Sequence, residues 1–237
     1  MTSSINIGAF KRLIKRVPIL RDISVRVANA ISGRFSNSAS YWEKRYSSGG
    51  TSGPGSYRHL AMFKADVLNR FVAEHQIETV IEFGCGDGNQ LGLASYPAYR
   101  GFDVSATAVE MCKKRFSGDA TKTFGVMSEY AGEQADLALS LDVIFHLVED
   151  EVFESYMRTL FSAACRFVII YSSNTGDIGE VTSVHVKHRR FTDFVAEHFP
   201  RWRLYRKIEN EFEYDGVDEE SSFSDFYVYE RVPEEQA

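Results

Sequence analysis

Cysteine is scarce in this sequence, and its few cysteines do not form a recognisable site. The 237 residues include Cys85, Cys112 and Cys165, an odd number without a C-x-x-C pair. This usage argues against a disulfide framework or a zinc site, and it indicates a reducing compartment. The sequence also lacks an apolar run of the roughly 18 residues that span a membrane, and it lacks a secretory signal. We therefore expect a cytoplasmic protein.

Basic residues are sparse relative to acids in the body of the chain. Residues 1–36 contain seven lysines and arginines against one acid, although the formal net charge of the whole chain is −6. Residues 209–220 hold seven carboxylates and no base. Because neutralising phosphates requires a basic face, an acidic body argues against sequence-independent nucleic-acid binding. We expect no nucleic acid partner.

The basic N-terminal segment is amphipathic. Pro18 interrupts any single long helix there. We assign residues 1–40 to a basic helical arm and residues 41–237 to one folded domain. Two interpretations of the arm stand: peripheral contact with an anionic membrane, and a helix packed on its own domain or on a partner. The second is favoured. The apolar residues interleaved with the basic ones are Phe10, Leu13, Ile14, Val17 and Leu20.

Helix-like and strand-like patterns alternate after residue 40. Phe63, Val67, Leu68 and Phe71 fall on one helical stripe. Strands that alternate with helices predict an α/β fold with a doubly wound, mostly parallel sheet and helices on both faces. The last two predicted strands are expected to form an antiparallel edge. The predicted strands are 79–83, 99–104, 121–126, 135–141, 166–172, 202–208 and 224–231.

The stretch IEFGCGDGN, residues 81–89, places three alternating glycines directly after the first strand. A dinucleotide-binding loop would have a glycine where Asn89 stands, and a Walker loop would have a lysine. Glu82 and Asp87 lie within this stretch. Because carboxylates there would repel a pyrophosphate, the loop favours a ligand that carries positive charge.

A second acid lies at the end of the next predicted strand. Asp103 follows Gly84 by 19 residues. An acid at that strand tip, about twenty residues after the loop, accepts hydrogen bonds from ribose hydroxyls. The alternative is that Asp103 caps the following helix, which begins near Ser105. The loop and the two acids Glu82 and Asp103 together indicate a nucleoside site.

At these residues the sequence resembles the class I S-adenosylmethionine-dependent methyltransferases. VIEFGCGDG (80–88) is similar to their first motif, GFDVS (101–105) to the segment that follows, and ADLALSLDVIFHLVED (135–150) to their fourth-strand motif. YWEKRY (41–46) resembles their lid helix. The resemblance covers roughly residues 40–231. It implies a seven-stranded Rossmann-like sheet, with S-adenosylmethionine as cofactor and S-adenosylhomocysteine as product.

A narrower resemblance points to the acceptor. YWEKRYSSGGTSGPGSY together with LSLDVIFHLVEDEVF is similar to bacterial sugar O-methyltransferases that make methylmannose-type polysaccharides. This implies methyl transfer to a hydroxyl of a sugar or oligosaccharide. The alternatives are another small-molecule acceptor and a cofactor-binding subunit without catalysis. An NAD-dependent oxidoreductase shares the fold, but Asn89 and the acids around the loop argue against it.

The resemblance assigns a set of residues to the cofactor. Asp103 would hold the ribose, and Arg45 would pair with the methionine carboxylate. Alternatively, Trp42 belongs to the core and Arg45 pairs with Glu43 or with a surface acid. The cofactor-binding residues so assigned are Trp42, Arg45, Glu82, Gly84, Gly86, Asp103, Ser128 and Asp142.

His146 is the candidate general base, because a sugar hydroxyl must lose its proton and histidine titrates near the working pH. Asp142, four residues earlier, would orient the imidazole or contact the amino end of the cofactor. Alternatively, His146 stacks on the cofactor or caps the next helix. Tyr57, His188 and Arg189 are candidates for acceptor binding.

Metal dependence is an alternative that no motif supports. A divalent ion such as Mg²⁺ can acidify a hydroxyl and needs several oxygen ligands. Asp142, Asn174 and Asp177 could supply oxygens, but no spacing among them identifies a site. We therefore predict no metal ligands.

Overall fold

The structure, a computed structural model, describes residues 35–176, 185–214 and 220–233. Nearly all of the predicted arm, together with Asp177, lies outside these residues. Within the described ranges, no helix is both long and apolar enough to cross a bilayer. The helices are α1 (Ser38–Ser47), α2 (Arg58–Glu74), α3 (Ala106–Arg115), α4 (Asp150–Ser162) and α5 (Phe191–His198).

Seven strands form one sheet in the order β3-β2-β1-β4-β5-β7-β6. Strands β1 to β5 pair in parallel, whereas β7 runs antiparallel to both β5 and β6. The doubly wound sheet with an antiparallel edge is therefore confirmed. The strands are β1 (Thr79–Phe83), β2 (Ala98–Asp103), β3 (Lys122–Val126), β4 (Ala135–Leu141), β5 (Ala164–Ser172), β6 (Trp202–Ile208) and β7 (Asp225–Arg231).

The central strands β1, β4 and β5 are buried on both faces of the sheet, whereas β6 at one edge is largely exposed. Because successive residues of a strand point to opposite sides, one strand contributes to both apolar clusters. Val80 packs in the cluster that contains the α2 stripe of Phe63, Leu68 and Phe71. Its neighbour Ile81 packs in the other cluster, with residues of α4 and α5. The near-continuous apolar runs of the central strands follow from burial on both faces.

The strand order reverses between β1 and β4, which are neighbours in the sheet although β2 and β3 intervene in sequence. In open α/β sheets, ligands bind at the carboxyl ends of the strands beside such a switch point. The glycine loop follows β1, Asp103 ends β2 and Asp142 follows β4. The topology thus gathers the sequence-predicted acids at one edge of the sheet.

Candidate cofactor and acceptor site

The glycine loop has a backbone that favours glycine at three positions. Gly84, Gly86 and Gly88 have φ values of +88°, +58° and +72°, in the region that L side chains rarely adopt. A Cβ atom on Gly84 would collide with Val143, and one on Gly86 would collide with Ser52. Glycine at these positions therefore allows Val143 and Ser52 to pack directly against the backbone of the loop.

Asp103 fixes the loop from the end of β2. Its Oδ2 accepts a hydrogen bond from the Gly86 amide at 2.9 Å, and its Oδ1 accepts one from the Ser105 amide at 2.9 Å. Burial raises the pKa of Asp103 to about 6. The predicted helix cap is Ser105, whose Oγ accepts from the Ala108 amide. Asp103 thus supports the start of α3 and also faces the site.

Glu82 is the second buried acid of the site. It lies in β1, and its Oε2 accepts a hydrogen bond from the Tyr99 hydroxyl at 2.7 Å. Burial raises the pKa of Glu82 to about 7, against the smaller lowering effects of the Tyr99 bond and of the Lys64 charge. Near neutral pH its carboxyl group is therefore close to the midpoint of its titration.

Helix α1 is fastened over the carboxyl edge of the sheet at its start and at its middle. At its start, the Ser38 hydroxyl donates to Glu149 Oε2 at 2.6 Å, and the Ser38 amide donates to Oε1 of the same residue. Farther along, Glu43 accepts hydrogen bonds from the hydroxyl groups of Ser105 and Thr107 at the start of α3. These contacts make α1 one wall of the site.

The loop between α1 and α2 is joined to the glycine loop. Asp87 Oδ2 accepts hydrogen bonds from the Ser52 amide at 2.9 Å and from the Tyr57 hydroxyl at 2.8 Å. In return, the Asp87 amide donates to Ser52 Oγ at 3.0 Å. The Asn89 side chain donates to the Ser56 carbonyl. We call residues 48–57 the lid loop. Its Gly- and Ser-rich sequence did not predict these contacts.

The two lid residues assigned to the cofactor occupy different places. Trp42 faces the site and meets the ring of His146 edge-on at 4.9 Å. Arg45 donates from Nε to the Thr51 carbonyl at 2.6 Å, and its guanidinium lies 5.4 Å from the centre of the Trp42 ring. Arg45 thus stabilises the lid loop, and the alternative partner Glu43 is bonded to α3 instead.

A cavity of about 390 Å³ lies between α1, α2, α4 and the carboxyl ends of β1, β2 and β4. It is the size of a small-molecule pocket. Of the sequence-predicted site residues, those that line it are Trp42, Glu82, Gly84, Gly86, Asp103, Asp142 and His146. Those that do not line it are Arg45, Tyr57, Ser128, His188 and Arg189.

His146 ends a short 3₁₀ turn, Ile144–His146, directly after β4. Its Nδ1 lies 3.0 Å from the His185 carbonyl oxygen, and the two imidazole rings stack at 5.5 Å. Because a carbonyl only accepts, Nδ1 carries the hydrogen and Nε2 keeps its lone pair. Burial lowers the pKa of His146 to about 3, so the ring is neutral at physiological pH.

Asp142 does not orient His146 but pairs with a lysine that the sequence analysis missed. Lys64 Nζ donates to Asp142 Oδ2 at 2.6 Å, and Ser224 Oγ donates to Oδ1 at 3.1 Å. Asp142 has a φ of +58°, in the region that L side chains rarely adopt. The position of Lys64 in the sequence could have predicted that it is buried. Lys64 lies four residues before Leu68, on the apolar stripe of α2.

The three acceptor candidates lie outside the cavity wall. Tyr57 bonds Asp87. His188 Nδ1 lies 2.7 Å from Ser173 Oγ, beside the end of β5. Arg189 donates to the Leu147 carbonyl at 2.7 Å and also pairs with an aspartate of α4, so it holds the segment after His146.

Ser128 belongs to a 3₁₀ turn after β3, and Met127 of that turn lines the cavity. Asn174, weighed above only as a possible source of a metal-binding oxygen, bonds Thr192. Among the residues that the structure describes, no group of three or more His, Cys, Asp or Glu side chains is placed to hold a metal ion.

Comparison with solved structures identifies the fold. The N-methyltransferase NodS from Bradyrhizobium japonicum WM9, in complex with S-adenosyl-L-homocysteine, matches with a TM-score of 0.64 and 14% identity, over 84% of this chain and 100% of that one. The methyltransferase domain of bacterial CtHen1-C matches with a TM-score of 0.56 and 18% identity, over 72% of this chain and 97% of that one.

A third neighbour, magnesium protoporphyrin IX methyltransferase (ChlM) from Synechocystis PCC 6803 with bound SAH, has a TM-score of 0.55 and 16% identity, over 72% of this chain and 83% of that one. No family model and no curated protein matches the sequence. The chain has the Rossmann-like methyltransferase fold.

Proposed function

We propose that this protein transfers the methyl group of S-adenosylmethionine to a hydroxyl group of a sugar or oligosaccharide. The observation that carries the proposal is His146, a neutral imidazole that lines the same cavity as the glycine loop and Asp103. A nucleoside-binding edge and a proton acceptor therefore share one small pocket. The fold of the methyltransferase neighbours is consistent with this pairing.

The residues around the cavity fit the cofactor. A side chain at Gly86 would collide with Ser52 and Tyr46, so the bare backbone there lets the lid loop and α1 pack against the glycine loop beside the cavity. Asp103 would accept hydrogen bonds from the ribose, and the acids Glu82 and Asp142 suit a ligand with positive charge. S-adenosylmethionine supplies a methyl group on a positively charged sulfur, so the protein's task is chiefly to align the acceptor.

His146 would accept the proton of the attacking hydroxyl group at Nε2. The His185 carbonyl holds the opposite side of the ring and fixes this tautomer. The edge of Trp42 restricts the ring further. A base whose pKa is about 3 is weak, so its main contribution is position, together with a proton transfer that occurs only as the methyl group is transferred.

A set of aromatic rings leads from His146 to the surface and is the proposed acceptor wall. The ring centres of Phe145 and His146 are 4.4 Å apart. The ring centre of Phe223 lies 5.1 Å from that of Phe145 and 4.9 Å from that of His188. Phe223 is 41% exposed, and its neighbour Tyr214 is 47% exposed. Exposed rings beside imidazole and hydroxyl groups suit a ligand with apolar faces and polar edges, as a pyranose has.

The direct test is a transfer assay with methyl-labelled S-adenosylmethionine and a panel of acceptors. The panel contains mannose-type oligosaccharides, a catechol and a primary amine. We expect label on the oligosaccharides, and we expect Phe223→Ala to raise KM for them more than it lowers kcat. Leu204→Ala, which alters an exposed apolar residue of β6, is the control. Labelling of the catechol or the amine alone would refute the sugar acceptor.

A further inference from the structure

Arg45 is a half-buried cation on helix α1, and no carboxylate among the described residues pairs with it. Its Nε donates to the Thr51 carbonyl at 2.6 Å, and its Nη1 donates to the Tyr41 hydroxyl at 3.4 Å. A guanidinium group has five N–H donors, so these two contacts leave three of them for a ligand. The neighbouring acid Glu43 is bonded to the start of α3 instead. Because arginine is rarely buried without an opposite charge, this side chain is suited to receive one.

Tyr41 and His185 form a polar cluster with Arg45. The Tyr41 hydroxyl lies 3.4 Å from His185 Nε2, and the centres of the two stacked rings are 4.3 Å apart. Both polar contacts of this hydroxyl group are longer than the roughly 2.7–3.2 Å of a strong hydrogen bond. The three side chains are half-buried and therefore accessible from solvent. An oxygen atom of a ligand could replace these long contacts without breaking a strong bond.

The cluster lies beside the proposed general base. The ring of His185 stacks on Tyr41 and also on His146, whose ring centre is 5.5 Å away. The charge of Arg45 acts at the same place, since burial and, after it, the Arg45 charge lower the pKa of His185 to about 4. An acceptor that brings a hydroxyl group to His146 therefore has the cluster next to its other substituents.

We propose that Arg45, Tyr41 and His185 form a subsite for an anionic group of the acceptor, a carboxylate or a phosphate. The planar fork of the guanidinium group matches two oxygens of either anion. The Tyr41 hydroxyl and the imidazole of His185 add hydrogen bonds beside it. The proposal rests on the proposed function, and it narrows the acceptor from a sugar to an acidic sugar.

The test compares three probes by calorimetry on the full-length protein in the presence of S-adenosylhomocysteine. The probes are methyl mannoside, its uronate, in which a carboxylate replaces the hydroxymethyl group, and its 6-phosphate. We expect the wild type to bind one of the charged probes about 10- to 100-fold more tightly than the neutral one, as a charged hydrogen bond implies. Whether the uronate or the phosphate binds more tightly distinguishes the two sources of the anion.

Two variants assign the preference to residues. Arg45→Met should bring the charged probe to within about threefold of the neutral one. This variant also loses the bond to Thr51, but a looser lid loop would weaken all three probes alike, so the ratio isolates the charge. Tyr41→Phe keeps the stacked ring and should lower the preference only in part. Lys44→Met removes a positive charge from an exposed position of the same helix and is the control.

The outcomes separate this subsite from the function on which it rests. Equal wild-type affinity for the three probes would overturn the subsite and leave methyl transfer to a neutral sugar in place. A preference that Arg45→Met retains would also overturn it, as would a loss of S-adenosylmethionine affinity in that variant without a change of preference. A charged probe that binds tightly while no sugar accepts the methyl label would support the subsite and overturn the proposed function. The wild-type comparison decides even where the Arg45 variant does not fold.

Discussion

The hydroxyl group of Tyr57 donates to Oδ2 of Asp87 at 2.8 Å, and this bond joins the lid loop to the glycine loop. The same oxygen accepts from the Ser52 amide. Asp87 is buried but does not line the cavity. The acid inside the glycine motif therefore holds the lid loop, and the charge that faces a ligand comes from Glu82, Asp103 and Asp142.

Removing the Tyr57 hydroxyl should loosen the lid loop over the cavity. Tyr57→Phe deletes one hydrogen bond to an ionised group, worth about 1.5–3 kcal/mol, while Asp87 keeps the Ser52 amide. We expect S-adenosylmethionine to dissociate faster in stopped-flow measurements, with a smaller change in the association rate. Tyr205→Phe, at an exposed tyrosine of β6, is the matched control. Unchanged dissociation would show that the bond does not hold the ligand in.

The affinity for the cofactor should depend on pH through Asp103. Burial raises the pKa of this carboxyl group to about 6, and a ribose requires the ionised form as acceptor. Binding should therefore tighten as pH rises from 5 to 7, with proton release at pH 6 detected by calorimetry in two buffers. Asp103→Ala should lose this dependence and about 1.5–3 kcal/mol of binding free energy.

Glu82 titrates in an overlapping range, since burial raises its pKa to about 7. The affinity of Glu82→Gln for S-adenosylmethionine is therefore measured alongside that of Asp103→Ala. In Glu82→Gln, the change in affinity near pH 6, which is assigned to Asp103, should remain. Binding of S-adenosylmethionine that Asp103→Ala leaves unchanged would refute the ribose assignment.

Loss of the imidazole at position 146 should separate catalysis from binding. His146→Ala should bind S-adenosylmethionine nearly as well as the wild type, while methyl transfer falls by about 10²–10⁴. Because burial lowers the pKa of His146 to about 3, the wild-type rate should show no His146 limb between pH 5 and 9. His198→Ala, on α5, is the control. If His146 stacks on the cofactor, affinity and rate will fall together, and a chelator-sensitive rate would indicate a metal.

The buried histidine should also make folding sensitive to acid. An unfolded imidazole titrates near 6.5, whereas burial lowers the pKa of His146 to about 3. Between these values the unfolded chain binds more protons, so the free energy of unfolding decreases as pH falls below about 6.5. In urea titrations at pH 7 and pH 5, the wild type should lose more stability than His146→Gln. Equal losses would contradict the buried, neutral ring.

The basic segment should be separable from cofactor binding. Removing residues 1–34 leaves in place all the cavity-lining residues that the structure describes, so affinity for S-adenosylmethionine should be nearly unchanged. If this segment contacts a membrane, the full-length protein will sediment with anionic vesicles and detach in high salt, where the attraction is screened. Absence of sedimentation at low salt would favour the packed helix.

The strands of the sheet could be predicted because each strand is marked by the residues of its own short segment. Apolar runs with turn residues between them mark each strand, and the stripe of α2 marks one buried helix. The position of Asp103 at the end of β2 was also predictable. In a strand–helix–strand unit, the tip of the second strand follows the loop by a nearly fixed number of residues. The hydrogen bond between the Asp103 carboxylate and the Gly86 amide shows that the strand tip does lie beside the glycine loop.

The contacts that complete the site are not local. Asp87 and Ser52 are 35 residues apart in the sequence. The lid loop, which contains Ser52, has no hydrophobic periodicity from which this contact could be predicted. His146 meets a backbone carbonyl at position 185, which carries no side-chain signal. Lys64 lies in an apolar stripe, where a lysine is ordinarily taken to reach solvent. Only the packed chain shows that its ammonium turns inward to Asp142.

The way in which α1 begins determines how short the protein can be made. Asn37 Oδ1 accepts the Ser40 amide and so caps the helix, and Ser38 fastens it to Glu149. A truncation at residue 41, the boundary that the sequence suggested, would remove the cap and the fastening together. The smallest autonomous unit should therefore begin no later than residue 37, and a shorter fragment would lose the first turn of the wall that carries Trp42.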